Sequence, residues 1–253
     1  MNRTKISVQN LSLSYSDGKE SLRNVSLDVR SNAITVLFGP AGGGKSTLLR
    51  TMNRLNDLTD VIHVSGKVWL DGIDVLDPAT DLIALRRRVG MVFARPVVLP
   101  MSVRQNLTYG LELAGERNQA RLAEVVERSL RAAALWEEVQ DRLDDPAISL
   151  SGGQQQRLCL ARVLALEPEV IMLDEPTSGL DPISTGKVEV TLQDLKQNYT
   201  ILLVPHSVQQ AARTADHAAF ILDGELIEFA PGKDIFTRPQ DQRTEDYIEG
   251  RFG

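Results

Sequence analysis

Residues 33 to 53, AITVLFGPAGGGKSTLLRTMN, hold an apolar run, a glycine-rich turn and a helical segment in direct succession. The run from Ala33 to Phe38 is almost continuously apolar, which is typical of a strand buried in a parallel sheet. The segment from Ser46 to Asn53 predicts a helix. A strand, a tight turn and a helix in this order indicate an α/β core.

The turn itself fits the pattern G-x-x-x-x-G-K-[ST]. Glycines let successive backbone N–H groups face one phosphate chain, and the helix N-terminus adds partial positive charge. In such a loop Lys45 binds the β- and γ-phosphates, and the Ser46 hydroxyl ligates Mg²⁺. The pattern therefore predicts a site for ATP and Mg²⁺, formed on this loop by Gly39, Pro40, Ala41, Gly42, Gly43, Gly44, Lys45, Ser46 and Thr47.

Strand and helix signals on either side of this loop predict the rest of the fold. Alternating apolar residues between Ile6 and Val29 indicate an antiparallel layer, and Val170–Leu173, Thr200–Val204 and Ala218–Leu222 indicate further parallel strands. Between them, Leu122, Val125, Val126, Leu130 and Ala133 form one apolar helical face suited to packing against other helices. We predict one domain over residues 1–253, an α/β P-loop NTPase core with a parallel sheet, an N-terminal antiparallel β layer and a helical subdomain at about 96–165.

Two acids follow the apolar run that begins at Val170. A carboxylate at the carboxyl end of a parallel strand faces the ligand crevice of such a sheet. Asp174 is suited to hold Mg²⁺ through a coordinated water, and Glu175 is suited to act as the base for the water that attacks the γ-phosphate. An isolated acid pair would more often be surface charge, but the glycine-rich loop favours the catalytic interpretation.

A second glycine-containing element, Leu150 to Gln154, precedes a helical stretch. Ser151 is a good N-cap, and Gly152 and Gly153 expose backbone N–H groups at a helix start. This predicts a second anion-binding element, with an ordinary capped helix as the alternative.

With LSGGQQQR at residues 150–157 and LDEP at 173–176, the chain resembles the nucleotide-binding subunit of an ABC transporter. The resemblance implies a head-to-tail dimer with a second copy, in which Ser151, Gly152, Gly153 and Gln154 contact ATP held by the partner. It further implies that Tyr15 stacks on adenine, that residues 178–181 form a dimer-interface loop, and that His206 acts beside the γ-phosphate. The implied catalytic residues are Glu175, His206 and Lys45, and the implied metal ligands are Ser46 and Asp174.

Residues 53–58, 85–93, 106–110 and 243–253 are similar to the ATPase subunit of bacterial phosphate importers. That resemblance implies two integral membrane permeases as partners, an extracytoplasmic phosphate-binding protein, and a peripheral position on the cytoplasmic face of the inner membrane. The alternatives are an importer of another oxyanion, a soluble ABC-type switch that regulates a macromolecule, and a small-molecule kinase, against which the LSGGQ element argues. The three arginines at 86–88 are expected to form a solvated edge.

The chain departs from the family pattern at Ala94, where the family has Gln. The resemblance implies that this Gln completes the Mg²⁺ shell and links the γ-phosphate to the helical region. Since alanine has no polar group, we expect ATP binding to survive while hydrolysis or its coupling to transport weakens. At Pro205 the family often has Thr, and proline keeps Val204 extended at a strand end.

Composition excludes several other classes of protein. The chain has 28 Lys and Arg against 34 Asp and Glu, a net charge of −6, which argues against a nucleic-acid partner. One cysteine, Cys159, cannot form an internal disulfide and fits a reducing compartment. Apolar runs fall far short of the ~20 residues of a membrane span, so neither a span nor an export signal is predicted. His63 and His217 match no motif and are expected to be structural.

Overall fold

The structure, a computed structural model, describes residues 3–251. Its strands are Thr4–Tyr15 (β1), Glu20–Arg30 (β2), Ile34–Phe38 (β3), Val61–Leu70 (β4), Ile73–Asp74 (β5), Val89–Val92 (β6), Val170–Asp174 (β7), Thr200–Val204 (β8), His217–Leu222 (β9) and Glu225–Pro231 (β10). Its α-helices are Lys45–Met52 (α1), Leu82–Arg88 (α2), Val103–Leu113 (α3), Gln119–Ala132 (α4), Trp136–Val139 (α5), Gly152–Ala165 (α6), Pro182–Leu195 (α7), Val208–Thr214 (α8), Gly232–Ile235 (α9) and Gln242–Ile248 (α10). Short 3-10 helices span Leu55–Leu58, Gln140–Arg142 and Ala147–Ser149.

The strands form two sheets, which confirms the predicted α/β class. The N-terminal sheet has the order β2-β1-β4-β5 with antiparallel pairing throughout. The second sheet has the order β10-β9-β3-β8-β7-β6, in which β9 to β6 are parallel and β10 closes one edge as an antiparallel hairpin partner. The glycine-rich loop therefore follows a strand that lies inside the parallel sheet.

The parallel sheet is buried on both faces. All five residues of β3 are buried, and alternate side chains enter two different apolar cores. Val36 and Phe38 contribute to the core beside the helices of the middle region, whereas Leu37 contributes to the core beside the antiparallel sheet and α1. Burial on both faces explains the continuous apolar run in the sequence.

The middle region covers one face of the parallel sheet with helices. The apolar face predicted for this region lies on α4 and its C-cap residue Ala133, and all five of its residues are buried. Four of these residues join the same core as Val36 and Phe38. The packing interpretation of this face is confirmed.

The expectation of a solvated arginine edge is wrong for two of the three residues. Arg86 donates hydrogen bonds to the carbonyl oxygens of Asn53 and Arg54, which fixes the segment after α1. Arg88 donates to the carboxylates of Glu169 and Asp71. Both Arg86 and Arg88 are therefore tied to other segments, and only Arg87 is exposed. In the sequence, three consecutive arginines predict a solvent-exposed surface, because the residues that bind Arg86 and Arg88 lie far away along the chain.

An ion-pair network links the two sheets at this point. Lys5 of β1 contacts both Asp71 and Glu169, and Arg88 contacts the same two carboxylates. The hydrogen bonds from Arg88, followed by those from Lys5, lower the pKa of Glu169 from its ordinary 4.5 to about 2. The folded state thus favours the ionised carboxylate.

Glu169→Gln should lower the free energy of unfolding at neutral pH by about 1 kcal/mol, a value reduced for solvent screening because this carboxylate is partly exposed. A depressed pKa stabilises the fold above the unfolded-state value and loses that contribution as the pH falls through the folded value. The difference between variant and wild type should therefore shrink between about pH 5 and about pH 2. Urea unfolding of both proteins across this pH range measures the difference in the free energy of unfolding. Glu127→Gln, in an exposed pair with Arg131, is the matched control, and a pH-independent difference would contradict the assignment.

Within residues 3–251, no helix combines the length and the apolar character needed to cross a membrane.

Candidate functional site

The glycine-rich loop connects the end of β3 to the start of α1. Its first residue, Gly39, has φ of +142°, and a β-carbon there would lie 2.0 Å from the carbonyl oxygen of Ile221. Gly44, the N-cap of α1, has φ of +103° and a similarly close neighbour in the Ser21 carbonyl oxygen. The backbone of the loop therefore passes so close to two other segments that only glycine fits at these positions.

Lys45 is buried at the first position of α1. Its ammonium group donates hydrogen bonds to the carbonyl oxygens of Gly39 and Pro40, at 2.9 and 2.7 Å. Burial lowers the pKa of Lys45, and the nearby carboxylates of Glu175 and Asp174 oppose that shift. The charge of Lys45 thus lies inside the loop and beside the two predicted acids.

Ser46 lies directly beside the predicted metal-binding acid. Its hydroxyl donates a hydrogen bond of 3.0 Å to Oδ1 of Asp174. Asp174 is the last residue of β7 and is 7% exposed. Two hard oxygen donors from segments 128 residues apart therefore meet at the carboxyl edge of the parallel sheet.

Glu175 follows β7 with a backbone conformation that is unusual for a glutamate. Its φ is +48°, in the left-handed region, and its N–H donates to the carbonyl oxygen of Val204 at 2.9 Å. Non-glycine residues in this region are uncommon and cluster at functional sites. Glu175 lines two cavities, and Lys45 lines both of them as well.

The first cavity, of about 270 Å³, places Tyr15 next to the glycine-rich loop. The hydroxyls of Tyr15 and Thr47 share a hydrogen bond of 3.1 Å. Asn56 lies in the stretch that is similar to phosphate importers. Its side-chain amide donates a hydrogen bond of 2.9 Å to the carbonyl oxygen of Thr47. The structure therefore gathers Tyr15, Lys45, Ser46, Thr47 and Glu175 around one opening.

The second cavity, of about 240 Å³, brings His206 to the same loop. It is lined by Lys45, Glu175 and His206 among others. β8 ends at Val204, as proline at the next position predicts, and the N–H of His206 donates to Oε1 of Gln210 at 2.9 Å. His206 and Glu175 therefore line the same cavity.

Two further residues line or support this second cavity, although neither carries a sequence signal of its own. Gln210 is buried and accepts hydrogen bonds from both the Thr177 hydroxyl and the His206 N–H, so it links the loop after Glu175 to the loop after β8. Tyr247 of α10 lines the cavity and lies against the Phe220 ring, with 5.1 Å between ring centroids. Similarity to phosphate importers marks residues 243–253, but only the tertiary contacts of Tyr247 show that this segment reaches the site.

The LSGGQ element begins α6 with a capping box. The Ser151 hydroxyl accepts from the Gln154 N–H at 3.3 Å, and Oε1 of Gln154 accepts from the Ser151 N–H at 3.0 Å. Among the described residues that line the two cavities, none comes from residues 151–154. Within residues 3–251, this element therefore lies outside both cavities that border the glycine-rich loop.

Ala94 lies just beyond β6 and lines neither of the two cavities among the described residues. The amide nitrogen of Gln156 donates to the carbonyl oxygen of Phe93 at 2.9 Å, which ties α6 to the end of this strand. Gln156 is 2% exposed, and its Oε1 has no hydrogen-bond partner. Gln156 of α6 thus fixes the backbone at Phe93, while the neighbouring Ala94 side chain has no polar atom.

Comparison with known protein families matches residues 22–178 to the ABC transporter family. Over 250 residues the chain is 52% identical to the "Phosphate import ATP-binding protein PstB" of Shewanella denitrificans, an alignment that covers 99% of this chain and 92% of that relative.

Comparison with solved structures also finds ABC transporter proteins. The chain matches cbiO1 of Clostridium perfringens, part of the ABC transporter complex cbiONQ, with TM-score 0.82, 25% identity, and coverage of 99% of this chain and 97% of that one. It matches the dimeric ATP-binding cassette MJ0796 with ADP and Pi, with TM-score 0.78, 27% identity, and coverage of 90% and 99%. It also matches a bacterial Atm1-family exporter with ATP bound, with TM-score 0.80, 25% identity, and coverage of 99% and 42%.

Proposed function

The chain belongs to the ABC transporter family, and on that premise we propose that it is the ATP-hydrolysing subunit of an importer of inorganic phosphate. The observation that carries the ATPase part is the meeting of Lys45, Ser46, Asp174 and Glu175 at one edge of the parallel sheet. Phosphate as the transported ion rests on the relative that is 52% identical over nearly the whole chain. We further propose that residues 1–253 act as one ATP-binding domain, with residues 96–165 as its helical subdomain.

ATP binds at the glycine-rich loop in this proposal. Backbone N–H groups of residues 41–47 and the Lys45 ammonium hold the phosphates, and the Tyr15 ring stacks on adenine at the first cavity. Since phosphoryl transfer depends chiefly on positioning and charge stabilisation, a buried cation inside a rigid loop suits this role.

The donor set fits Mg²⁺. Magnesium is usually held by one or two protein oxygens together with substrate phosphates and water. The Ser46 hydroxyl and the Asp174 carboxylate, already in contact at 3.0 Å, provide such oxygens. Bound there, Mg²⁺ supplies positive charge that offsets the charge developing on the phosphate oxygens.

Glu175 and His206 act on the side of the loop that faces the second cavity. The Glu175 carboxylate accepts a proton from the attacking water, and His206 stabilises the γ-phosphate. Gln210 positions both, because it accepts hydrogen bonds from the His206 backbone and from Thr177.

Residues 151–154 act on ATP held by a second copy in a head-to-tail dimer. Their place outside the cavities of their own chain supports this proposal. The dimer is peripheral to the membrane, at its cytoplasmic face, and docks against two permeases to which an extracytoplasmic protein delivers phosphate.

The permease contact lies at a groove of about 220 Å³ between α2, β6, α3 and α6. Arg86, Arg87 and Arg162 line it together with Tyr109 and Leu166. Three cations beside apolar residues suit an apolar permease segment that carries an acidic residue.

Ala94→Gln should raise ATP turnover of the assembled transporter by roughly threefold to tenfold, the value of one recovered hydrogen bond. The added amide supplies the polar atom that alanine lacks, next to a backbone already held by Gln156. Turnover is measured in the reconstituted complex with and without phosphate. Ala94→Met adds similar length without an amide and should leave the rate unchanged; an equal rate for all three chains would refute the role given to position 94.

The proposed function is tested by uptake of labelled orthophosphate. Phosphate-starved source cells that lack their own copy receive either the intact chain or its Glu175→Gln form. Uptake restored only by the intact chain would support both ATP-driven transport and the identity of the ion. If the intact chain is present at the membrane and phosphate uptake does not return, the chain serves another substrate or has a regulatory role, and uptake of other oxyanions in the same cells distinguishes these two outcomes.

A further inference from the structure

A charged cluster joins the start of α6 to α7, and the mechanism proposed above does not use it. Its centre is Glu138 of α5. Arg157 donates to both carboxylate oxygens, with Nη1 to Oε1 at 2.8 Å and Nη2 to Oε2 at 2.9 Å. Gln154 donates to Oε2 at 3.1 Å, and Lys187 of α7 donates to Oε1 at 2.6 Å. One carboxylate thus holds groups from two other helices.

The bond from Gln154 sets which way its amide faces. Its Nε2 donates to Glu138, so its Oε1 faces the Ser151 N–H and closes the capping box at 3.0 Å. The Ser151 N–H also requires the amide oxygen, so the contacts with Glu138 and with Ser151 favour the same orientation of the amide. Glu138 therefore acts on the geometry of Ser151 through Gln154.

The contact with Lys187 connects the same element to α7. The two helices are already close, since a β-carbon on Gly153 would lie 2.7 Å from the Ser184 hydroxyl. α7 begins directly after residues 178–181, and Asp181 is its N-cap. The LSGGQ element and the 178–181 loop are thereby fixed to each other through α7.

The Glu138 carboxylate is ionised at neutral pH. Arg157 is 3% exposed and also donates to the carbonyl oxygen of Ala134. Hydrogen bonds from Arg157, then Lys187 and Gln154, lower the pKa of Glu138 to about 2. Charge-assisted bonds of this kind are stronger than neutral ones and hold the groups in one geometry.

We propose that Glu138 is a positioning residue that fixes residues 151–154 against α7, so that this element and the 178–181 loop meet the partner copy as one rigid surface. The inference rests on the head-to-tail dimer of the proposed function. It predicts that loss of the cluster weakens ATP-dependent dimerisation without weakening nucleotide binding by the single chain.

The test uses the full chain carrying Glu175→Gln, which accumulates the ATP-bound dimer. Glu138→Gln and Lys187→Met are each added to it. Removing Glu138 leaves Arg157 buried without its anion, a change that can prevent folding, whereas Lys187 is 45% exposed and its loss leaves that pair intact. Glu137→Gln is the matched control, because this neighbouring carboxylate is 74% exposed and contacts only the surface residues Arg131 and Gln140 among the described hydrogen bonds.

The dimer dissociation constant is measured by sedimentation with ATP, and ADP affinity is measured on the dilute single chain. Lys187→Met should raise the dimer constant by about threefold or more and Glu138→Gln by about tenfold, with ADP affinity unchanged. Equal dimer constants for Lys187→Met and Glu137→Gln would overturn the inference. So would a parallel loss of ADP affinity, because it would show a general structural role. A Glu175→Gln chain that stays monomeric with ATP would overturn the head-to-tail dimer itself, and the inference with it.

Discussion

Glu175→Gln should lower ATP turnover by roughly a hundredfold to a thousandfold and leave an ATP-bound dimer accumulating. The amide keeps the size of the side chain but cannot accept the proton of the attacking water. Nucleotide binding should persist, because Lys45, Ser46 and Asp174 are unchanged. Turnover is measured by phosphate release, and the dimer by sedimentation with ATP and Mg²⁺.

The matched control is Glu167→Gln. Glu167 also has a positive φ, +51°, but it pairs with Arg128 at the surface, away from the site. The control therefore reports any cost of exchanging glutamate for glutamine in this backbone conformation. Turnover by Glu175→Gln within about tenfold of wild type would show that Glu175 is not the base.

Gly39→Ala should lower the free energy of unfolding by about 3 kcal/mol or more and abolish nucleotide binding. The new β-carbon would lie 2.0 Å from the Ile221 carbonyl oxygen, and this neighbour is backbone inside β9, so it cannot move aside. The φ of +142° is also one that alanine rarely adopts. Urea unfolding measures the loss, and titration with a fluorescent nucleotide measures binding.

Gly42→Ala is the matched control. It distinguishes the steric clash expected at position 39 from the cost of placing alanine at a positive φ. Gly42 lies in the same loop with φ of +76°, but the nearest atom to a new β-carbon is the flexible Lys19 ammonium, at 3.5 Å. Gly42→Ala should lower the free energy of unfolding by about 1 kcal/mol, because alanine at a positive φ is strained even without a clash. Equal losses for the two variants would mean that the contact with Ile221 does not constrain the loop.

Much of the fold followed from local patterns. The strands β3, β7 and β8 are short apolar runs because both of their faces are buried, so they were evident from composition within a few residues. The antiparallel edge strand β10 was not predicted, since its residues are mostly half-buried and carry no continuous apolar signal. The α4 face was evident because its burial follows the helical period.

The site was predictable to the extent that its chemistry lies within contiguous segments. The turn, the lysine and the hydroxyl of a phosphate-binding loop lie within eight consecutive residues. Their relative positions are therefore set by local backbone structure and can be predicted from the motif. Tyr247 and Gln210 carry no such signal, because one tyrosine or glutamine is ordinary until its neighbours are known. The solvated edge expected at 86–88 was wrong for the same reason: Arg88 meets Glu169 and Asp71 only after folding.

The sequence by itself determined the α/β class, the phosphate loop and the acids that follow β7, because these depend on neighbours along the chain and on the periods of strands and helices. Only the tertiary structure decided that the Ile221 carbonyl restricts Gly39, that Ser46 meets Asp174, and that Glu138 binds Arg157 and Lys187 together. Hydrogen bonds and ion pairs act over a few ångströms in space. Which distant segments come within that range is set by how the sheets and helices pack.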